Sequence, residues 1–347
     1  MSIRPPYYIF DREKFSSLIG EYLKFGDLYF PVKANDDDLI INAVQENDCG
    51  FEVDSIEHIE KLIKCGISSD KLLYSYPIRE EIDIKEAIEK GVHLFVVDSI
   101  DEYRKIARLT NEARYIVRVN VLSIVKNELS VEHNKWGLSI NDSKELISII
   151  RTEGQALAGI SFYVTSEINH SDTFETVLNC LMLNFRNLDV EFVNIGGGIS
   201  IDKLESMTVL IEQVRSTIKA KRILLEPGRH LLNPCIDMIV SVMAIRTIDT
   251  RRLIFINAGI YLGLMDTIIK NRKYIIVDDK QIDSSMLVQS YVCGSSSDIS
   301  DTLGEYQLRS NLMIGDTLTI KECGAYSMVM QTHFYGKEHM KMILKGI

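Results

Sequence analysis

Glu191-Phe192-Val193-Asn194-Ile195-Gly196-Gly197-Gly198 decides the fold. A short apolar strand runs into three consecutive glycines, and a helical pattern over Leu204–Ile218 follows. In a doubly wound open sheet a glycine-rich turn of this kind belongs after the first strand. Here it comes after the seventh of eight strand-like runs. These are Leu28–Val32, Gly50–Val53, Leu72–Tyr76, His93–Val97, Tyr115–Val119, Leu157–Tyr163, Glu191–Ile195 and Ile223–Leu225. Between them lie amphipathic stretches such as Ile56–Lys64, Glu80–Lys90, Ile100–Leu109, Ser143–Ile150 and Thr173–Leu183. One strand and one helix every ~25–30 residues is the repeat of a (β/α)8 TIM-type barrel, in which phosphate commonly binds after the late strands. The expected class is therefore α/β, a TIM-type barrel.

Past Arg229 the pattern changes. Ile239–Ile245, Leu253–Asn257, Tyr274–Val277, Leu287–Cys293 and Thr317–Ile320 are β-rich runs broken by Gly, Asn and Asp, with no long helix between them. They predict a second, antiparallel β domain, sandwich-like or barrel-like, which Tyr7–Phe10 can join. The expected boundaries are residues 12–231 for the barrel, and 1–11 with 232–347 for the β domain. The stretch Asn120–Asn134 is longer than a tight βα turn requires and reads as a lid or a surface loop.

Composition narrows the function. The 347 residues are 46% hydrophobic and carry a net charge of −10, with no Lys/Arg cluster, which argues against a nucleic-acid surface. Met1–Pro6 lacks a signal-peptide apolar core, and no apolar run approaches membrane-spanning length. Cys49, Cys65, Cys180, Cys235, Cys293 and Cys323 are scattered without a C-x-x-C pair, which suits a reduced cytoplasm; no metal site is expected.

Strand ends at a barrel's C-terminal face converge on one site. Lys33, Glu52, Arg118, Tyr163, Gly196–Gly198 and Glu226 all fall at such ends. A lone lysine after a strand is ordinarily solvated or salt-bridged; its company makes the difference here. An amine placed there can condense with an aldehyde cofactor. The bare N–H groups of the glycine turn suit a phosphate dianion, and Arg229 can add a charged contact to it or serve as a salt bridge between domains. A carboxylate such as Glu226 facing a pyridine nitrogen keeps that nitrogen protonated and makes the ring an electron sink. Lysine, phosphate cradle and carboxylate together point to pyridoxal 5'-phosphate (PLP). They favour a reaction with carbanion character at Cα.

The motifs Pro31-Val32-Lys33-Ala34-Asn35, Gly50-Phe51-Glu52-Val53, Lys135-Trp136-Gly137, Gly159-Ile160-Ser161-Phe162, Gly196-Gly197-Gly198, Glu226-Pro227-Gly228-Arg229 and Gly324-Ala325-Tyr326 occur in that order. From Tyr7 to Gly336 the chain resembles the fold-type III PLP-dependent decarboxylases, the family of ornithine and diaminopimelate decarboxylases with an alanine-racemase-like barrel. The resemblance implies Lys33 as the Schiff-base lysine and Glu226 as the pyridinium partner. It also implies a cofactor site that includes Glu52, Arg118, Tyr163, Ser166, Gly196, Gly197, Gly198, Gly228, Arg229 and Tyr326. Gly294-Ser295-Ser296-Ser297-Asp298 is similar to the segment that reaches into the other subunit of a head-to-tail homodimer. Asp298, with Tyr326, would then contact substrate, and Ser297 would stand at the catalytic centre.

Four positions depart from the family pattern. Tyr163 replaces a ring-stacking histidine, Ser297 the cysteine that helps protonate Cα, Ala258 an aspartate of diamine-forming relatives, and Tyr335 an asparagine. A hydroxyl is a poorer proton source than a thiol. The leading expectation is a decarboxylase of an amino acid or amino-acid conjugate, giving CO2 and an amine in a specialised siderophore- or peptide-antibiotic-type pathway. The alternatives are ornithine, lysine or diaminopimelate decarboxylation in primary metabolism, an amino-acid racemase, and a non-catalytic regulatory relative.

Overall fold

Strand β1 (Tyr7–Phe10) and helix α1 (Arg12–Leu23) lead into eight parallel strands that close into a barrel. The barrel strands are β2 (Asp27–Pro31), β3 (Gly50–Val53), β4 (Leu72–Tyr74), β5 (Leu94–Val97), β6 (Arg114–Arg118), β7 (Ala156–Ser161), β8 (Val190–Asn194) and β9 (Ala220–Leu225). Between them run α2 (Asp38–Glu46), α3 (Ile56–Lys64), α4 (Glu81–Glu89), α5 (Ile100–Ala107), α6 (Ile140–Thr152), α7 (Ser171–Asn184), α8 (Ile201–Ser206) and α9 (Thr208–Ile218). This is a computed structural model, and it describes residues 4–121, 124, 135–164, 171–278, 280 and 286–346. Ser166 and most of Asn120–Asn134 lie outside the described residues.

Barrel strands are covered on both faces, so they read as unbroken apolar runs. Leu94-Phe95-Val96-Val97 is buried throughout. Tyr29, Leu73, Leu94, Val96, Ile116, Ala158, Phe192 and Leu224 form one buried cluster drawn from seven of the eight strands. Strand β3 is the exception, because Gly50 leaves space that the Tyr29 ring fills; a Cβ there would lie 2.7 Å from that ring. Glu52 stands in register with Leu73 of the cluster. At the strands' N-terminal ends Arg222 pairs with Asp27 at 2.8 Å and with Glu191, which also holds Arg114. The helices start where the sequence supplies caps: Ser55, Ser99 and Ser139 accept hydrogen bonds from the N–H groups of His58, Glu102 and Asp142.

One helical expectation is corrected. Leu204–Ile218 is not continuous but breaks at Met207 into α8 and α9. The Thr208 hydroxyl bonds the carbonyls of Leu204 and Glu205 at 3.2 and 2.9 Å, a local competitor to the helical ladder.

Among the described residues the rest of the chain forms a mixed sheet of eight strands. After the short α10 (Arg229–Leu232) come β10 (Ile236–Ile248), β11 (Arg251–Ile256), α11 (Asp266–Ile269), β12 (Ile276–Val277), β13 (Leu287–Cys293), β14 (Thr302–Arg309), β15 (Thr317–Ile320) and β16 (Met342–Leu344). The long β10 serves two neighbourhoods: its first half pairs with β1 and β15, and beyond an irregularity at Val242/Ala244 its second half pairs with β11. The sheet is not purely antiparallel, since β11 pairs in parallel with β13, and β1 with β16. By contacts the chain divides into a barrel unit (Ser17–Val32 and Ile41–Gly228) and a β unit (Met1–Ser16, Lys33–Ile40 and Arg229–Ile347). Among the described residues no helix is long and apolar enough to cross a membrane.

Candidate active site

In the barrel unit the candidate residues gather at the C-terminal ends of the strands. Glu226 follows the last residue of β9, and its N–H donates to the Gly196 carbonyl at 2.9 Å. Its Oε1 accepts from Asn194 Nδ2 at 2.6 Å, while Asn194 Oδ1 accepts the Gly196 N–H at 2.8 Å. The turn needs its glycines for two separate reasons. Gly196 and Gly198 have φ of 70° and 80°, in the left-handed region that glycine adopts without penalty. A Cβ on Gly197 would stand 2.2 Å from the Glu226 carbonyl oxygen. The Tyr163 ring flanks the turn, with Cδ2 3.7 Å from where a Gly196 Cβ would sit, and the side chain is 41% exposed.

Glu52 is 1% exposed and accepts a hydrogen bond from the Ser75 hydroxyl. Arg118 closes β6, half-buried, with its carbonyl taking the Leu138 N–H at 2.9 Å. Gly228 is buried. Deeper in the rim, buried Arg79 donates to the Tyr74 and Val96 carbonyls at 2.7 Å each and lies over the Tyr74 ring at 4.5 Å. Desolvation pulls its pKa down to about 10.

The β unit carries the other candidates. Lys33 sits exposed in a 3-10 turn, Val32–Ala34, directly after β2. The turn is tied to Gly324-Ala325-Tyr326: the Ala34 carbonyl takes the Tyr326 N–H at 2.7 Å, and buried Asn35 donates to the Gly324 carbonyl at 2.9 Å. Arg229 stacks on the Tyr326 ring with its guanidinium carbon 4.3 Å from the centroid. Its Nη2 stands 3.3 Å from both oxygens of Asp266, a carboxylate only 2% exposed. Arg229 is thus oriented by a salt bridge inside its own unit.

Ser297 and Asp298 lie on the loop from β13 to β14. This loop is wrapped around Asp301, whose buried carboxylate accepts the N–H groups of Ile260 and Ser296 at 2.8 and 2.9 Å. A Cβ on Gly294 or Gly259 would fall 2.1 or 2.3 Å from the same carboxylate. Ser297 is exposed. Asp298 accepts the Ser300 N–H at 2.7 Å and also bonds the Tyr261 phenol. Desolvation, then the Asp298 charge and this bond, raise the phenol's pKa. Tyr261 in turn packs on Phe334, with ring centroids 4.6 Å apart. Ala258 is fully buried.

These residues fit PLP. The glycine turn is a cradle that a side chain would fill, and a carboxylate is fixed to it by hydrogen bonds. Residues 13–233 match the pyridoxal binding domain of the pyridoxal-dependent decarboxylases. The chain belongs to that family. As a pyridoxal-dependent decarboxylase it is an amino-acid carboxy-lyase with PLP as cofactor. It is similar to ornithine decarboxylase of Schizosaccharomyces pombe, 22% identical over 91% of this chain and 77% of the relative. Diaminopimelate decarboxylase of Bacteroides thetaiotaomicron is also 22% identical, over 97% and 94% of the two chains. Among solved structures, lysine decarboxylase from Selenomonas ruminantium superposes with a TM-score of 0.86 at 21% identity, covering 99% of this chain and 93% of the other. The arginine decarboxylase of Paramecium bursaria Chlorella virus gives 0.88 at 21%, covering 99% and 97%.

Asn194, Asp266, Asp301 and Tyr261 were not among the residues singled out in the sequence. Asn194 carries a local signal, since an Asn side chain commonly accepts the N–H two residues on. Asp266 and Tyr261 act on partners far along the chain, as Asp301 does on Ile260, and leave no such trace.

Proposed function

We propose that this decarboxylase removes CO2 from an α-amino acid whose side chain ends in a cation, with Lys33 as the residue that holds PLP covalently. The observation that carries the reading is the union of carboxylate and glycine turn: Glu226 is bonded to Gly196 through its own N–H and, by way of Asn194, through its side chain. When bound, PLP supplies the electron sink that accepts the pair left as CO2 departs. Glu226 holds the ring-nitrogen proton, and the N–H groups of Gly196–Gly198 seat the phosphate. Arg229, oriented by Asp266 and Tyr326, adds charge to that seat, and Glu52, Arg118, Tyr163 and Gly228 complete the surroundings.

Asp298 is the residue that reads the distal cation, its carboxylate aimed by Tyr261. We place it in the active site of a second copy in a head-to-tail homodimer, following the family's segment at Gly294–Asp298. Relatives solved with putrescine, cadaverine and agmatine indicate that the family handles cationic chain ends. The expectation of a conjugated substrate in a specialised pathway rests only on the departures at Tyr163, Ala258, Ser297 and Tyr335, so a free basic amino acid is the first choice.

The test is CO2 release from purified holoenzyme over a panel of basic, acidic and conjugated amino acids, with borohydride trapping and peptide mapping of the cofactor. Release from ornithine, lysine or arginine with the label on Lys33 is expected. Turnover confined to acidic or conjugated substrates overturns the substrate assignment, and a label on another lysine overturns the role of Lys33. Mixing inactive Lys33→Ala with inactive Asp298→Ala subunits should restore part of the activity; no recovery after confirmed exchange places the site in one chain.

A further inference from the structure

Three hydrogen bonds at the barrel rim form a closed circuit. The Glu226 N–H donates to the Gly196 carbonyl at 2.9 Å, the Gly196 N–H donates to Asn194 Oδ1 at 2.8 Å, and Asn194 Nδ2 donates to Glu226 Oε1 at 2.6 Å. Asn194 is the last residue of β8 and is only 2% exposed, so water does not compete for its amide. The circuit also settles which way the amide faces. A backbone N–H can only donate, so the Asn194 atom facing Gly196 must be the oxygen, and the atom facing Glu226 must be the nitrogen. An amide nitrogen has no acceptor capacity, so Glu226 Oε1 must offer a lone pair. Donation into a carboxylate favours its ionised form.

We infer that Asn194 is a positioning residue that holds Glu226 ionised, in one orientation, and locked to the glycine turn. This deepens the proposed function and rests on its assignment of Glu226 to the ring nitrogen. Asn194 contacts neither the substrate nor the reacting carbon in this account. It works by fixing the carboxylate that keeps the ring nitrogen protonated, and by making the phosphate seat and the ring-nitrogen seat one rigid body. A hydrogen bond to a charged group contributes more than one between neutral partners, and more again when buried.

The consequence can be read without turnover. Apo-protein is titrated with PLP and with its 1-deaza analogue, in which C–H replaces the ring nitrogen, and the ratio of the two dissociation constants is taken. Loss of phosphate affinity from a loosened turn affects both ligands alike and cancels in the ratio. Asn194→Ser isolates the effect, because a serine hydroxyl can still accept the Gly196 N–H but is too short to reach Glu226. Wild type should prefer PLP, and Asn194→Ser should lower that preference by roughly ten- to a hundredfold, towards the ratio of Glu226→Gln. Adding Asn194→Ser to Glu226→Gln should then change the ratio little, because the two act through one interaction. In the assembled enzyme kcat should fall with KM nearly unchanged.

If Asn194→Ser keeps the wild-type ratio while Glu226→Gln loses it, the role of Asn194 is wrong and that of Glu226 stands. If Glu226→Gln itself keeps the wild-type ratio, the ring-nitrogen assignment fails, and the inference with it. Asn194→Ala serves as the second variant should the serine protein not fold, with the same ratio deciding.

Discussion

Gly197→Ala puts the glycine turn under the sharpest test. The new methyl would stand 2.2 Å from the Glu226 carbonyl oxygen and 3.2 Å from its carbon. Ordinary non-bonded contact needs well over 3 Å, so either the turn or the end of β9 must retreat by on the order of 1 Å. Such a shift exceeds the tolerance of the 2.6 Å bond from Asn194 to Glu226 and of the 2.9 Å bond from Glu226 to Gly196. Forcing a methyl into a packed position costs about 1–3 kcal/mol. Losing a hydrogen bond to a charged group costs about 1.5–3 kcal/mol. Because the two changes share one displacement they overlap rather than add. The expected result is a protein less stable by about 1–3 kcal/mol in urea titration, with PLP affinity reduced by roughly ten- to a hundredfold. Both are measured on purified apo-protein, the second by fluorescence titration. A Gly197→Ala protein with the wild-type urea midpoint and wild-type PLP affinity would refute the close-approach account of this turn.

Other perturbations separate stability from chemistry. Arg309 lies buried between Asp278 and Asp316 and pairs with both; Arg309→Met takes the buried cation from both carboxylates, leaving Asp316 with the exposed Lys280, and should cost about 3–5 kcal/mol in chemical denaturation. Lys280, the Met313 N–H and Arg309 hold the Asp316 carboxyl below its ordinary value of 3.8. That group's stabilisation is therefore complete above pH 3.8 and fades as pH falls through its lower folded value, so the stability gap between wild type and Arg309→Met should narrow as pH falls below 3.8, as followed by urea titration at several pH values. Gly20 lies exposed in α1 with open space where a Cβ would go, and Gly20→Ala should raise stability by about 0.5–1 kcal/mol with no change in turnover. Ser297→Ala should keep kcat/KM within roughly tenfold of wild type, because a weakly acidic hydroxyl is a poor proton source; loss of turnover with substrate still bound would assign the proton transfer to that hydroxyl.

What the sequence disclosed follows from the physics of each element. Parallel barrel strands bury both faces, so Leu94–Val97 stands out as a run of apolar residues, and the glycines at 196–198 announce their turn directly. Strand β14 buries only Leu303, Leu308 and Arg309 and carries Gly304, Glu305 and Gln307, so it reads as loop. Strand β16 has only three residues and, among the described residues, pairs with β1 alone, more than 300 residues away. Pairing direction leaves no local signature either, so nothing in either segment announces the parallel match of β11 with β13. At the candidate site the residues of distinctive chemistry, Lys33 and Glu226, are legible. Their neighbours are not: Asn194 and Glu226 are 32 residues apart, Arg229 and Asp266 37.

The turn that carries Lys33 has a consequence for biosynthesis. Asn35 finds its hydrogen-bond partner 289 residues later, at Gly324, and Ala34 finds its own at Tyr326. A chain emerging from the ribosome exposes Lys33 early but cannot build the seat beneath it until Gly324 and Tyr326 have been made. β1 waits as long for β16. An unseated lysine turn cannot hold the geometry that the folded β unit imposes, so the proposed covalent capture of PLP at Lys33 waits for Gly324 and Tyr326 to dock. Truncations that remove residues beyond 323 should therefore forfeit the lysine site even where the barrel persists.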